Sequence, residues 1–401
     1  MSAAVAVEPL ISDIAQFHVG RRPSGVRRKY RIMARGPFEF FRGTNFLFAR
    51  AWPEFQPREP GPAVWLCGDL HLENFGAFPT DDGDFRFDIN DFDDAIVGPC
   101  SVDVLRCATS TLLAAESWRL TPTQGISMVL AFLDAYRHGV RDGSDQASAS
   151  DAEPDLAGVG ELVDATRRGS PHEMLEQYAK QKRGTWRLRE CKRIRHAGDK
   201  SATLVREAVE GANGTGWKVF DVARRNAGIG SLGLRRFVVL AEEPGASEPA
   251  LLALKETAPS ALAAFADPSM PAFANEGDRA VAAENLLQAR PTARLQALTI
   301  ADRPFHLRTM IPDENRSSLS RLQKRPAKLR AAVAAAGRLT AHSQRRGSNV
   351  GGRDRSAELK EWADSSALES VLAHAVRLAD QVQRDYSLFR RAYRAGAMDA
   401  P

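Results

Sequence analysis

The stretch that decides the fold is Cys67-Gly68-Asp69-Leu70-His71-Leu72-Glu73-Asn74, which follows a short apolar run, Ala63–Cys67. An apolar run of this length, bounded by glycine, predicts a β-strand. The residues after it include a carboxylate at Asp69, an imidazole at His71 and an amide at Asn74. The stretch therefore predicts a strand that ends in a loop of chemically useful side chains.

The spacing within this loop is informative, because Asp69 precedes Asn74 by five positions. This is the D-x-x-x-x-N spacing of kinase catalytic loops. Phosphoryl transfer needs a carboxylate that orients the attacking hydroxyl and an oxygen ligand for the metal on the phosphates. Asp69 and Asn74 are the candidates, and His71 either assists catalysis or braces the loop. The alternative is an Asx-rich turn whose side chains bond their own backbone.

A second motif, Phe87-Asp88-Ile89-Asn90-Asp91-Phe92-Asp93-Asp94, ends the next predicted strand, Phe85–Ile89, which we expect to pair with Ala63–Cys67 in a hairpin-like unit. Its carboxylates repel one another unless a cation, an arginine or water offsets them. The interleaved aromatic and β-branched residues favour a partly buried strand over the alternative, a solvated acidic loop. Since Mg²⁺ binds through one or two carboxylates and phosphate oxygens, the predicted metal ligands are Asn74, Asp91 and Asp93.

A third motif, Gly228-Ile229-Gly230-Ser231-Leu232-Gly233, precedes a predicted strand rather than opening a helix. This context argues against a dinucleotide fingerprint and favours the glycine-rich loop that covers phosphates in kinases. Gly228, Gly230 and Gly233 are therefore candidate nucleotide-binding residues. Lys255 lies on a following strand, where a buried ammonium is costly unless it meets an anion. The alternative is a lysine that reaches water from a strand end.

Two further residues complete the candidate site. An acidic residue on the helix predicted around Glu276–Ala289 is expected to hold Lys255, and Glu284 is preferred to Glu276. Arg42, next to Gly43 and among aromatic residues, is a candidate for a phosphate contact.

The rest of the chain alternates predicted helices and strands. The order from residue 217 onward is strand, strand, strand, helix, strand, strand, which predicts a small β-rich unit. The expected elements outside the motifs are a helix at Val102–Leu120, a linker or exposed loop at Asp142–Asp155, a basic helical stretch at Pro171–Ala197, strands at Trp217–Val222, Arg235–Ala241, Ala250–Glu256, Leu295–Ile300 and Phe305–Met310, and helices from Pro326 to the end.

Composition bounds the class of protein. A length of 401 residues suits two packed lobes rather than one core, and 43% hydrophobic with 26% charged residues excludes disordered and fibrous classes. The start, Met1–Pro9, lacks a charged segment followed by an apolar run, and no stretch reaches the ~18 apolar residues of a membrane span. Four separated cysteines without a C-x-x-C pair suggest neither zinc nor disulfides. We therefore expect a cytoplasmic protein without a membrane partner.

The formal net charge of +5 is accompanied by three basic stretches, Arg21–Arg31, Lys180–Lys200 and Arg316–Arg330. Such stretches bind nucleic acid or other polyanions in some proteins. A solvated helix face or a phosphate-facing surface is the preferred interpretation, so nucleic acid is a less favoured partner.

The chain resembles an uncharacterised bacterial family, the domain-of-unknown-function family numbered 2252. The most specific elements are Phe41-Arg42-Gly43, the C-G-D-x-H-x-x-N-F-G motif from Cys67 and the N-D-F-D motif from Asn90. Val102 and Leu105 depart from the Trp and Lys expected in that family. The resemblance covers most of the chain and implies no established activity. It runs through Met33–Gly43, Cys67–Gly76 and Phe87–Ser110, and less closely through Gly228–Ser260, Gly277–Gln288, Ala341-His342 and Asp380–Tyr386.

The catalytic-loop region also resembles aminoglycoside and choline phosphotransferases, in which an H-G-D-x-H-x-x-N loop precedes an I-D-F/W-x-D strand end. Cys67 stands where those enzymes carry the first histidine. The resemblance implies a catalytic aspartate, two metal-binding residues and two carboxylates that brace the loop and the next helix. By position these are Asp69, then Asn74 and Asp91, then Asp94 and Asp103.

The leading hypothesis is an α+β, two-lobed protein-kinase-like (aminoglycoside-phosphotransferase-like) fold with many helices and a small antiparallel sheet. ATP and Mg²⁺ are expected between the sheet and the acidic loops. Because the glycine-rich loop and Lys255 follow the catalytic loop, whereas kinases have the reverse order, we expect a circular permutation. The predicted domains are residues 1–141 (catalytic and metal loops of the larger lobe), 142–210 (linker and basic helical connection), 211–312 (small nucleotide-binding lobe) and 313–401 (helices packed on the larger lobe).

The function predicted from these residues is ATP- and Mg²⁺-dependent phosphoryl transfer to an unknown small-molecule or protein acceptor. Three alternatives stay open: a nucleotide-binding pseudokinase or sensor without turnover, a polyanion-binding protein with structural acidic loops, and a metal-dependent hydrolase.

Overall fold

The computed structural model describes residues 3–142, 158–168, 171–182, 184–212, 216–226, 228–311 and 318–398. Within these residues it contains thirteen α-helices and fourteen short β-strands, and every strand pairing between them is antiparallel. The expected class, α+β, is confirmed. Apart from Asp142, the predicted linker Asp142–Asp155 lies outside the described residues.

The first part of the chain forms four helices: α1 (Ala3–Phe17), α2 (Pro23–Met33), α3 (Pro37–Gly43) and α4 (Asn45–Phe55). Proline opens α2 and α3, where its missing N–H is not needed by the helix. Val26, Tyr30 and Met33 recur at helical spacing along α2 and are buried in the largest apolar core. Lys29 lies on the same face of α2, three residues after Val26 and four before Met33, and is buried with them.

Two small sheets carry the acidic motifs. Strand β1 (Ala63–Leu66) pairs with β4 (Ile96–Pro99), and β2 (Phe75–Pro79) pairs with β3 (Phe85–Ile89). The expected hairpin between Ala63–Cys67 and Phe85–Ile89 is therefore wrong. A tight turn at Gly83, which has a φ of +81°, joins β3 to the strand directly before it. Closing this short loop costs less entropy than pairing with the more distant β1.

Six further helices pack on the same large apolar core as the four N-terminal helices. They are α5 (Ser101–Ser117), α6 (Pro122–Arg141), α7 (Gly160–Arg167), α11 (Pro326–Arg346), α12 (Ser356–Asp364) and α13 (Ser366–Arg394), with a small hairpin of β13 (Asn349–Val350) and β14 (Arg353–Asp354). Apolar residues at three- and four-residue spacing on α13, such as Leu368, Val371, Leu378 and Val382, are buried in this core as the sequence predicts. No helix in the described part of the chain is long and apolar enough to cross a membrane.

A six-stranded sheet forms the second part of the molecule, in the order β11-β12-β10-β9-β8-β7. Its strands are β7 (Ile194–His196), β8 (Lys218–Arg225), β9 (Arg236–Glu242), β10 (Ala250–Glu256), β11 (Gln296–Ile300) and β12 (Arg303–Thr309). Alternate residues of each strand point to opposite faces. Val239 and Leu252 pack under α9 (Asp199–Glu210), whereas Val238 and Leu240 pack against α8 (Pro171–Tyr178). Helix α10 (Glu276–Leu287) connects β10 to β11.

The basic stretch Pro171–Ala197 is not a continuous helix, which corrects the sequence prediction. Helix α8 ends at Tyr178, and β5 (Ala179–Lys182) and β6 (Thr185–Leu188) then form a hairpin. Gly184 makes the turn with a φ of +75°, and Leu188 is buried in the apolar cluster beside α8. The six-stranded sheet also includes β7, which lies before residue 211, the predicted start of the small lobe. The domain ranges themselves stay predictions.

Candidate active site

A cleft of about 190 Å³ lies between the six-stranded sheet and the loops that follow β1 and β3. The structure brings most of the predicted site residues to this cleft from distant parts of the chain. Those that line it are Arg42, Asp69, His71, Asn74, Asp91, Gly228, Gly230 and Lys255. Three others lie elsewhere: Asp93 lines an adjoining cavity, and neither Gly233 nor Glu284 lines either space.

The loop after β1 is held from below by Asp103, in the first turn of α5. The Asp103 carboxylate accepts hydrogen bonds from the backbone N–H groups of Cys67 (2.8 Å) and Gly68 (2.9 Å). Burial raises the pKa of Asp103 to about 6, although these two donors act in the opposite direction. Gly68 has a φ of +86°, and a Cβ there would lie 2.0 Å from the Asp94 carbonyl oxygen. The chain therefore turns sharply at Gly68 and presents the next residue, Asp69, to the cleft.

Substitution of Gly68 tests this geometry. We expect Gly68→Ala to lower the free energy of unfolding by about 2–5 kcal/mol, since it adds a left-handed backbone cost of ~1–2 kcal/mol to an overlap worth ~1–3 kcal/mol. Gly83→Ala is the matched control, because Gly83 also has a positive φ but nothing lies within 4 Å of its added Cβ. Its cost should be only ~1–2 kcal/mol. Equal losses for both variants in denaturant titrations would contradict the close packing at Gly68.

Asp69 is fixed by Arg106, a fully buried residue of α5. The Arg106 Nε donates to Asp69 Oδ1 at 2.7 Å, and a terminal guanidinium nitrogen donates to the same oxygen. The guanidinium lies over the ring of Phe41, 4.2 Å from its centroid. Burial raises the pKa of Asp69 to about 7, while the charge of Arg106 works against this rise. Asp69 therefore has one oxygen paired with Arg106, and Oδ2 lies near Gly230 in the glycine-rich loop.

His71 enters the same cleft as a neutral ring. Its side chain is buried, and Nδ1 has no hydrogen-bond partner among the described residues. Burial, reinforced by the charges of Arg42 and Arg106, lowers the pKa of His71 well below its ordinary value. One imidazole nitrogen is consequently available to a ligand.

Asn74 is oriented by two bonds within the acidic loops. Its side-chain Nδ2 donates to the backbone carbonyl oxygen of Asp69 at 2.6 Å. The backbone carbonyl oxygen of Asn74 accepts from the Asn90 N–H at 2.8 Å. The side-chain bond uses the amide's donor and leaves Oδ1 for a cation or donor in the cleft. Asn74 thus joins the loop after β1 to the loop after β3.

Lys255 reaches the acidic motif from the opposite wall. Its Nζ lies 2.8 and 2.9 Å from the two Asp91 oxygens, 164 residues away in sequence, and also pairs with Asp93. Desolvation opposes ionisation of Asp91, but the charges of Lys255, Arg236 and Arg308 outweigh it and hold the pKa of Asp91 below its ordinary value. Burial and the neighbouring Asp91 raise the pKa of Asp93 to about 6.

The expectation that Glu284 holds Lys255 is not met. Glu284 is buried, but it accepts from Thr292 at 2.7 Å and pairs with Arg308 of β12 at 3.2 Å. Glu276 pairs with Arg279 within α10. Asp91 and Asp93, in the loop after β3, take the place of a helical acid as the partners of Lys255.

The glycine-rich loop connects β8 to β9. Gly228 and Gly230 line the cleft, and the Gly230 carbonyl accepts from Arg21 (3.0 Å) and Lys29 (2.9 Å) of the N-terminal region. Gly233 packs instead against Arg21 at the base of the loop. The loop is thereby attached to the N-terminal helices as well as to its own strands.

The acidic loop after β3 is anchored by Asp94 and Arg279. Asp94 accepts from the Asn45 side chain (2.9 Å) and the Ala261 N–H (2.7 Å), which fits the bracing role implied for it. Arg279 of α10 donates to the carbonyl oxygens of Ala95 (2.5 Å) and Asp93 (2.6 Å). These bonds connect α4, α10 and the segment after β10 to the loop that carries Asp91.

The oxygen donors of the cleft match a metal that arrives with phosphates. They are the Asp91 carboxylate, Oδ1 of Asn74 and the buried Oδ1 of Asn90, which has no partner within the described residues. The described part of the chain contains no group of three or more His, Cys, Asp or Glu side chains arranged to hold a metal ion. Mg²⁺ uses one or two carboxylates and completes its shell with phosphate oxygens and water, so a larger protein cluster is not required.

Several residues of the site escape sequence reasoning. Arg106 was detectable in principle, as a charged residue on an otherwise apolar helix face must find a buried partner. Arg236 of β9 is paired with Lys255 in the strand register, and Arg308 lies on β12, the other neighbour of β10. Only the strand pairing reveals that both arginines are near Lys255. Lys29 belongs to a basic stretch interpreted as a solvated or phosphate-facing surface, yet it is buried.

Comparison with known proteins gives one match. No curated protein and no solved structure matches the chain. A family model described as "Uncharacterized protein conserved in bacteria (DUF2252)" matches residues 21–392, which include every element of the cleft. The chain therefore belongs to this uncharacterised bacterial family.

Proposed function

We propose that the protein transfers the γ-phosphoryl group of ATP, together with Mg²⁺, to a hydroxyl group of an acceptor. The observation that carries the proposal is the contact of Lys255 with Asp91 across the cleft. Phosphates must be held by a cation on one side and by metal-bound carboxylates on the other. Asp69 and Asn74 line the same cleft, so the groups that transfer requires are close together.

The strand order supports a circularly permuted, two-lobed kinase-like fold. In protein kinases a glycine-rich loop covers the phosphates and the lysine lies on the third strand of the small lobe. Here the loop joins β8 to β9, and Lys255 lies on the next strand, β10, before a helix and two further strands. The lysine partner differs, because Lys255 pairs with Asp91 and Asp93 where protein kinases use a helical glutamate.

In this proposal each residue has a defined task. The acceptor hydroxyl oxygen forms a bond to the γ-phosphorus, the bond from that phosphorus to the ADP oxygen breaks, and the hydroxyl proton passes to Asp69. Lys255 releases the carboxylates and binds phosphate oxygens, and Arg236 is a further cation on the same wall. Asn74 and Asp91 would hold Mg²⁺, which supplies charge neutralisation at the phosphates. Most of the rate enhancement then comes from positioning and electrostatics.

A second candidate function is nucleotide binding without turnover. The observation that favours it is the pairing of Asp69 Oδ1 with Nε and one terminal nitrogen of Arg106, which neutralises the proposed base. In that case the protein is a sensor whose conformation depends on ATP. The two candidates share the binding site and differ only in the rate of phosphoryl transfer.

A thermal-shift experiment tests the shared site. We expect Mg²⁺ with ATP to stabilise the protein, by about 2.7 kcal/mol at one hundred times the dissociation constant. Asp91→Asn should abolish the Mg²⁺-dependent part of this gain. Asp302→Asn is the matched control, because Asp302 is an exposed turn residue that does not line the cleft. Unchanged melting with every nucleotide in the presence of Mg²⁺ would rule out both candidates.

A further inference from the structure

A second cavity, of about 60 Å³, adjoins the cleft on the side of the N-terminal helices. Asp69, Asp91, Arg42, Gly230 and Ser231 line both spaces, so the two meet at the proposed catalytic carboxylate. The N-terminal region contributes Phe17, Arg21 and Lys29 to the lining of the second cavity. A space of this size accommodates a few waters or one small charged group rather than a whole nucleotide.

Lys29 is the most unusual residue of this cavity. Its side chain is almost fully buried on α2, and among the described residues its ammonium donates only to the Gly230 carbonyl oxygen, at 2.9 Å. No carboxylate of the described residues lies within ion-pair distance, 4.0 Å, of the ammonium. An ammonium has three donors, and burying it beside one neutral acceptor is costly. Burial accordingly lowers the pKa of Lys29 well below its ordinary value. An anion in the cavity would remove this cost.

Two arginines add to the positive charge. Arg42 makes no hydrogen bond or ion pair with another described residue, and its buried Nε has no acceptor there. Its guanidinium lies over the Phe38 ring, 5.4 Å from the centroid. Arg21 donates to the same Gly230 carbonyl as Lys29, at 3.0 Å, and lies over Phe17. Aromatic contacts hold both guanidinium groups in place and leave N–H donors for a ligand.

The carboxylates that face this cavity already have partners. Asp69 is paired with Arg106, Asp91 and Asp93 share Lys255, and Asp94 accepts from Asn45 and Ala261. Within the described residues Arg21, Lys29 and Arg42 form no ion pair with these carboxylates, although the charges of Asp69 and Asp94 still favour the charged form of Lys29. The charge of these three cations is directed to a space that the proposed base, Asp69, itself lines.

We infer that the second cavity binds an oxyanion of the acceptor, a carboxylate or a phosphate, and so positions the acceptor's hydroxyl at Asp69. The inference rests on the proposed function, since it names the acceptor class for the same reaction. Lys29 and Arg42 bind the oxyanion, and Arg21 holds the glycine-rich loop over it. The chemical step is the same as in the proposed function: the acceptor hydroxyl gains the γ-phosphoryl group, ADP leaves, and the hydroxyl proton passes to Asp69.

The first test uses the anions alone, on the full chain. Inorganic phosphate and acetate, at millimolar concentration, should raise the melting temperature of the wild type, and Lys29→Met should abolish the rise. Lys360→Met is the matched control, because Lys360 is an exposed lysine of α12. Lys255→Met identifies anions that bind in the main cleft. Absence of an anion effect, or an effect that depends on Lys255 and not on Lys29, would overturn the inference.

The stability of Lys29→Met gives an independent readout. If the ammonium serves only the fold, its removal should lower the melting temperature without ligand. If the ammonium serves to bind an anion, replacing this buried unpaired charge by methionine should raise the melting temperature by a few degrees, because the cost of burying the charge is removed. The Gly230 carbonyl keeps its hydrogen bond from Arg21. Arg42→Met serves as a second variant should Lys29→Met fold poorly, and the same loss of the anion effect is expected.

The second test identifies the source of the oxyanion. Glycerol, glycerate and glycerol 3-phosphate are matched hydroxyl compounds that carry no charge, a carboxylate and a phosphate. With Mg²⁺ and ATP, a charged member should accelerate ADP formation at least ~10-fold over glycerol, and the better member names the source. Equal acceleration by glycerol would overturn the inference while leaving the proposed function intact. Anion binding without any effect of ATP would instead refute the proposed function, and the acceptor role with it.

Discussion

Asp69→Asn is expected to lower the rate of phosphoryl transfer by ~10²–10⁴-fold, the contribution typical of a positioned general base. The amide keeps an oxygen that accepts from Arg106 but does not take a proton. Slow ATP hydrolysis by the wild type is the assay until an acceptor is known.

Binding of Mg²⁺ and ATP, measured by thermal stabilisation, is the control for the Asp69→Asn variant. Asn74, Asp91 and Lys255 are untouched in Asp69→Asn, so stabilisation by Mg²⁺ and ATP should persist. Loss of turnover with retained binding would support the catalytic assignment. Identical ATP turnover by the wild type and Asp69→Asn would contradict it and favour the sensor.

Arg106→Leu is expected to lower the free energy of unfolding by about 3–5 kcal/mol, because it leaves the Asp69 carboxylate without its buried partner. Chemical denaturation measures this loss. The control is Arg353→Leu, which removes one partner of an ion pair between Arg353 and Glu358 whose side chains are 69% and 43% exposed. Its cost should stay below ~1 kcal/mol.

A double variant separates charge from packing. Arg106 also packs on the rings of Phe41 and Phe48, so part of the loss in Arg106→Leu is independent of Asp69. Arg106→Leu combined with Asp69→Leu removes both charges and should recover a substantial part of the lost stability. If the double variant is no more stable than Arg106→Leu, the unpaired carboxylate is not the cause.

Local sequence patterns predicted five of the six strands of the large sheet, whereas β7 lies in a stretch that was predicted to be helical. The strands expected around Lys255 and the helix after it lie within a few residues of β8 to β12 and α10. The strands are short, mostly apolar runs and the helix is rich in alanine, with glycine or proline within a few residues of their ends, which is the kind of signal that a local pattern contains. The motifs at Asp69, Asp91 and Gly230 were visible for the same reason.

Which strands pair with one another, and which side chains contact one another, was not predictable from the sequence. Strands of four or five residues, such as β1 and β3, contain too little pattern to specify which strand they pair with, and the hairpin prediction failed there. The same holds for Glu284, whose helix and burial follow from its neighbours but whose contact with Arg308 depends on the register of β12. Lys29 and Arg106 are charged residues in the core, so their roles become visible only with their three-dimensional neighbours.

Hydrogen exchange on the wild-type protein, with and without Mg²⁺ and ATP, tests the central claim most directly. The glycine-rich loop from Gly228 to Gly233, the loop from Asp69 to Asn74 and the loop around Asp91 are far apart in sequence but line one cleft or its edge. If ATP binds there, amides in all three segments should gain protection together, and Asp91→Asn should weaken the Mg²⁺-dependent part. Protection confined to another surface, or to only one of the three segments, would contradict the account.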